Sequence, residues 1–153
     1  MALPQELLAP ISEDLRKEIN KFDIVKGIEH VNYIDGKLAA GKDVEEGDWV
    51  VGTSTGFDVP PTSQKKCFPV VTGNNRYDAL ATGNVTVIVG GGFIYQTTKF
   101  VAGSYTVGQA LTVKDLGAGE KVPSAAGSGD VICGRVYSYD SAKGIMQILV
   151  LNS

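Results

Sequence analysis

The chain has 153 residues and a mass of 16.1 kDa, the size of one domain, with 43% hydrophobic and 20% charged side chains. A chain of this length buries roughly 68–70% of its unfolded surface, so a core needs neither disulfides nor a structural metal. A net charge of −3 and a pI near 5.1 argue against a nucleic-acid partner held through its phosphates, and no apolar run reaches the ~18 residues that cross a bilayer.

Residues 1–50 carry six basic and eleven acidic side chains and residues 51–153 eight and six, an acidic front before a near-neutral remainder rich in Gly, Thr and Val. The first residues have no basic region ahead of an apolar one and turn acidic at once. They read as no signal peptide, and synthesis in the cytoplasm is expected. Leu8, Ile11, Leu15, Ile19 and Phe22 recur at steps of three and four, which draws one apolar stripe along a helix. Ser12 is a suitable N-cap, Glu13 and Asp14 suit the positive end of the helix dipole, and Gly27 is a natural terminator. Pro4 and Pro10 keep the lead-in extended or kinked. A helix of about eleven residues is marginal alone in water, so the stripe has to dock, either on its own domain or on a neighbouring subunit. Residues 1–27 are expected to form this short N-terminal helix or extended arm, and residues 28–153 the main domain.

From Ile28 the period changes to 2: Ile28, His30, Asn32 and Ile34 alternate with Glu29, Val31 and Tyr33, and Asp35-Gly36 reads as a hairpin turn before Lys37-Leu38. Further strand-like runs cover 48–51, 67–71, 84–89, 93–100, 110–113, 131–139 and 145–151, separated by clusters of Gly, Pro, Ser, Thr and Asn. Short strands at such spacing predict a mainly β fold, a small β-barrel or β-sandwich. Gly90-Gly91-Gly92 lacks the Gly-Lys-Ser/Thr that a phosphate loop requires, and fits a tight turn or bulge between two strands. An internal echo links 38–44 with 116–122. Each copy is followed by Gly-Asp and three apolar residues ending in Gly, at Gly47-Asp48 and Gly129-Asp130. The pair reads as two similar turn-plus-strand units of one barrel.

The inventory of reactive side chains is thin. His30 is the only histidine, and Cys67 and Cys133 stand 66 positions apart in apolar contexts where free cysteine acts as a small hydrophobe. They read as core residues ahead of a disulfide or a Cys–His nucleophile pair. No metal, cofactor or catalytic constellation is expected, and the chain is not expected to be an enzyme. Trp49 is a candidate interface anchor, because Trp is enriched at hot spots; its other reading is an ordinary core aromatic. Tyr137 and Tyr139, two apart on one strand, share a face; they read as two half-buried sheet residues ahead of a small platform for a glycan.

Arg76-Tyr77-Asp78, the run 81–87, Thr97-Thr98-Lys99-Phe100 and the run 103–113 form one set of turn-and-strand patterns, closed by 131–136 and 143–151. On these residues the stretch from Gly47 to Leu151 resembles the bacteriophage capsid decoration proteins, the cement or head-stabilising proteins. The resemblance implies a small β-barrel or sandwich on the virion surface, commonly a homotrimer. Such a protein binds the outside of the capsid and stabilises the coat lattice by bridging neighbouring major capsid protein subunits, with no nucleic-acid or membrane partner. Leu8, Ile11, Leu15, Ile19, Phe22 and Trp49 are then the expected interface residues. A tail or neck component on a similar barrel, or a module that binds host-surface glycans, are the alternatives.

Overall fold

The runs rich in Val, Ile, Thr and aromatic residues form strands, because branched and ring side chains pack well on a pleated, half-buried surface. The structure, a computed structural model, describes residues 21–27, 30–62, 65–73, 83–117 and 119–152. Ten strands lie among them: β1 Asp23–Gly27, β2 Asn32–Lys37, β3 Trp49–Thr53, β4 Gly56–Asp58, β5 Cys67–Thr72, β6 Asn84–Thr97, β7 Ala110–Thr112, β8 Ser124–Ala125, β9 Gly134–Asp140 and β10 Ile145–Asn152. They form one antiparallel sheet, in the order β4-β3-β5-β6-β10-β9-β7-β8 with β1 and β2 also on β6. The sheet curls into a half-barrel, and the described residues contain no helix. The mainly β, barrel-like class is therefore what forms.

Strand β6 organises the rest. Its 14 residues serve two parts of the sheet: the first half lies between β2 and β5, the second between β1 and β10. The two runs expected on either side of Gly90–Gly92 are thus one strand, and the glycines mark a bulge rather than a reversal. The register shows why. Tyr33 faces Ile88 while Asn32 faces Gly90, so β6 carries one extra residue there. An extra residue moves the side-chain alternation by one position. Ile88, Phe93 and Tyr95 consequently all enter the larger core, with Trp49, Met146 and Ile148, whereas Val85 and Val87 enter a smaller one with Leu38, Val50, Phe57 and Val70. Strand β3 is the wall between the two cores: Trp49 and Val51 face the larger and Val50 the smaller.

Two expectations near the start of the chain are corrected. Residues 23–27, assigned to the helical arm, form β1, and Ile24 packs on the larger core. The β unit thus begins before residue 28. Asp35-Gly36 is no hairpin turn, since β2 runs straight through it. The Phe57 ring takes the place of a side chain at Gly36, where a Cβ would lie 2.5 Å from Phe57 Cε2. That overlap, together with the parallel bridge Leu38–Phe57, brings the edge strand β4 back against the end of β2 and curls the sheet.

The turns of the internal echo have a common geometry, whereas of the two apolar runs after them 49–51 is strand and 131–133 is not. Asp48 N–H donates to the Glu45 carbonyl at 3.1 Å while the Asp48 carboxylate accepts Glu45 N–H at 2.9 Å. Asp130 and Gly127 exchange the same two bonds, at 3.2 and 2.8 Å. In both turns the residue before the aspartate is a glycine in the left-handed region, Gly47 at φ 87° and Gly129 at φ 82°, as position i+2 of a type II turn requires. Each aspartate also holds a lysine, Lys99 on Asp48 at 2.6 Å and Lys114 on Asp130 at 3.1 Å. The two copies touch as well: Trp49 N–H donates to the Lys121 carbonyl and Lys121 Nζ to the Asp43 carbonyl.

These turns make stability depend on acid. The Gly127 N–H and Lys114 hold the Asp130 carboxyl below its ordinary range. Burial alone would raise the Glu45 carboxyl, but Lys99 and Lys21 outweigh it and hold it low. A carboxyl depressed by folding adds stability above its unfolded pKa, and the addition is lost as pH falls through the folded value. Urea midpoints should therefore be level from pH 7 to about 5 and fall below about pH 4, where such carboxyls titrate. Lys99→Met should shrink the part of that fall due to Glu45.

Candidate interaction surface

Leu8, Ile11, Leu15 and Ile19 lie outside the described residues, as does Arg76-Tyr77-Asp78. Phe22, the last residue of the predicted stripe, is described and half-buried. Its ring stacks on Tyr95 at 4.6 Å and it packs on the larger core, so it belongs to its own β unit. Trp49 is likewise corrected from interface anchor to core residue. It is 1% exposed and donates Nε1–H to the Tyr95 hydroxyl at 3.0 Å, and burial holds that hydroxyl well above the usual tyrosine range. A side chain enclosed this way cannot reach a partner.

The tyrosine platform is also absent. Ser138 faces Gln147 and Val136 faces Ile148, which leaves Tyr137 as the extra residue of a bulge. The bulge ends the two-residue alternation between Tyr137 and Tyr139. Tyr137 stands half exposed, while Tyr139 packs edge-on against Phe100 and Tyr105 at 5.8 and 5.4 Å and donates its hydroxyl to the Gly103 carbonyl.

The surface that does stand out is the outer edge of β1 and β2. The two strands run in succession along one side of β6, from Asp23 opposite Gln96 to Lys37 opposite Asn84. Their opposite edge meets no described strand before Gly36 and Lys37, where β4 closes on the end of β2. Val25, Tyr33 and Ile34 are 50%, 51% and 45% exposed along it. Neighbouring residues of a strand point to opposite faces, so Tyr33 and Ile34 expose apolar surface on both sides of β2. An open edge with apolar side chains is a template for another strand. It also carries guards against indiscriminate pairing: a bulge at Val25, where Ile24 faces Tyr95 and Lys26 faces Ile94, and the charges of Lys26, Asp35 and Lys37.

Sequence reasoning missed this edge, because alternation predicts a half-buried strand and does not reveal which strand lacks a second neighbour. The available signal was Tyr33 next to Ile34, two large apolar residues on opposite faces of a strand flanked by charge. Compared with family models, with curated proteins and with solved structures, the chain matches none.

Proposed function

We propose that this protein is a structural virion component that binds the outside of a phage capsid and stabilises the coat lattice by bridging neighbouring major capsid subunits. The observation that carries the reading is the open β1–β2 edge with Val25, Tyr33 and Ile34 exposed. The resemblance of residues 47–151 to decoration proteins supplies its direction. A coat segment added to this edge gains main-chain hydrogen bonds along strands of five and six residues. The amphipathic stretch ahead of β1 gives a second attachment. Two weak attachments on adjacent subunits combine through effective concentration, so a repeating shell is held with little energy per site.

Purified protein should co-sediment with capsids that lack it, and electron microscopy should then show added density outside the coat lattice. Ile34→Asp should abolish that binding while shifting stability by no more than about 0.5 kcal/mol, as expected for an exposed site. Removing residues 1–20, which spares Phe22 and β1, should leave a folded β unit that binds capsids more weakly. Failure of the intact chain to bind any capsid, or full binding by Ile34→Asp, would overturn the reading.

A further inference from the structure

The fold brings together two cysteines that are 66 positions apart. Cys67 opens β5 and Cys133 immediately precedes β9, and both are free thiols in the larger core, 0% and 2% exposed. Several independent contacts fix the approach. Lys66 Nζ donates to the Ile132 carbonyl at 3.3 Å, which ties the residue before one cysteine to the residue before the other. Cys67 Sγ donates to the Val113 carbonyl at 3.6 Å, and Cys133 N–H donates to the Leu111 carbonyl at 2.8 Å, so both rest on the same short segment around β7. The two thiols interact directly, each shifting the acidity of the other. Their surroundings differ in access: Cys133 lines an open pocket of about 150 Å³, shared with Lys66, Ile132, Arg135 and Leu151, and Cys67 does not.

We infer that Cys133 is a modification site for small disulfides, with Cys67 as the resolving thiol behind it, and that reaction there locks the half-barrel with a Cys67–Cys133 bond. The Cys133 thiolate attacks one sulfur of a low-molecular-weight disulfide, RSSR, forming a mixed disulfide and expelling one RS⁻. Cys67 then gives up its proton and attacks the Cys133 sulfur, expelling the second RS⁻. The two protein thiols lose two electrons and two protons, and the reagent gains them as two RSH. A thiolate is the competent nucleophile in each step. The order of attack follows from access, since only Cys133 lines the pocket and Lys66 lies beside it there; interaction with Cys67, aided by Lys66, also lowers the Cys133 thiol, while the same interaction and burial push Cys67 up. The inference rests on these thiols and their pocket and does not require a capsid partner.

The test uses the full chain, folded, with oxidised glutathione as reagent. The expected product has lost two hydrogens, yields a Cys67–Cys133 cross-linked peptide on digestion, and melts at a higher temperature that reverts on reduction. Cys67→Ser should stop at one glutathione on Cys133, whereas Cys133→Ser should stay unmodified. If a variant fails to fold, limiting iodoacetamide on the native chain decides: first labelling at Cys133 supports the assignment and first labelling at Cys67 overturns it. Retention of both thiols by the folded chain, under conditions in which the urea-unfolded chain oxidises, also overturns it.

Discussion

Trp49→Ala should cost the fold about 3–5 kcal/mol, as emptying a large aromatic site does, which is a large share of the roughly 5–15 kcal/mol available to a domain. The indole lies in the larger core, 6.0 Å from the Tyr95 ring. Tyr95 in turn carries Phe22 on one side and Phe93 at 5.9 Å. Truncation removes the packing and also the N–H that the buried Tyr95 hydroxyl accepts. Trp49→Phe separates the two losses: it keeps most of the ring volume and forfeits the hydrogen bond, for about 1–3 kcal/mol. Urea unfolding followed by circular dichroism measures both. As the only tryptophan, Trp49 should also emit at short wavelength in the native chain and shift to the red on unfolding. A partner-facing Trp49 would instead leave stability within about 0.5 kcal/mol after truncation.

Strand content was legible in the sequence because it depends on local composition. The runs 48–51, 67–71, 84–89, 93–100, 110–113, 131–139 and 145–151 each contain strand, although 98–100 and 131–133 lie outside it. Less legible was whatever depends on which strand lies beside which. Gly36 looked like a turn residue because glycine beside aspartate usually supplies one, whereas here it makes room for a ring that arrives 21 positions later. Tyr137 and Tyr139 looked coplanar because the period of a strand is 2, and a bulge set by β10 broke it. Trp49 had two readings that burial alone could separate. Likewise, nothing local in either cysteine's neighbourhood announces the other, since their approach is made by β5, β7 and β9 converging on one core. The Gly-Asp echo was the exception: a repeated short motif encoded a repeated turn, because the two bonds that close each turn lie within four residues.

Gly91→Ala should be at least as damaging as any polar substitution on the surface, at about 3 kcal/mol or more. The left-handed backbone accounts for 1–3 kcal/mol of that, and ladder bonds lost at about 1 kcal/mol each account for the rest. Gly91 sits in the bend of β6 at φ 94°, and a Cβ there would lie 2.1 Å from the His30 carbonyl oxygen and 2.9 Å from Val31 Cα. Neither neighbour is the movable tip of a side chain. The segment joining β1 to β2 must therefore lift off β6, and the apolar edge that Val25, Tyr33 and Ile34 present loses its support. Gly108→Ala is the matched control, with φ 86° and open space around the added methyl. It should cost only the backbone share of about 1–3 kcal/mol. Hydrogen exchange should locate the difference, with faster exchange at 24–34 in the Gly91 variant and native protection there in the Gly108 variant. Equal losses in the two proteins would mean that the close approach to His30 does not hold β1 and β2 against the bend.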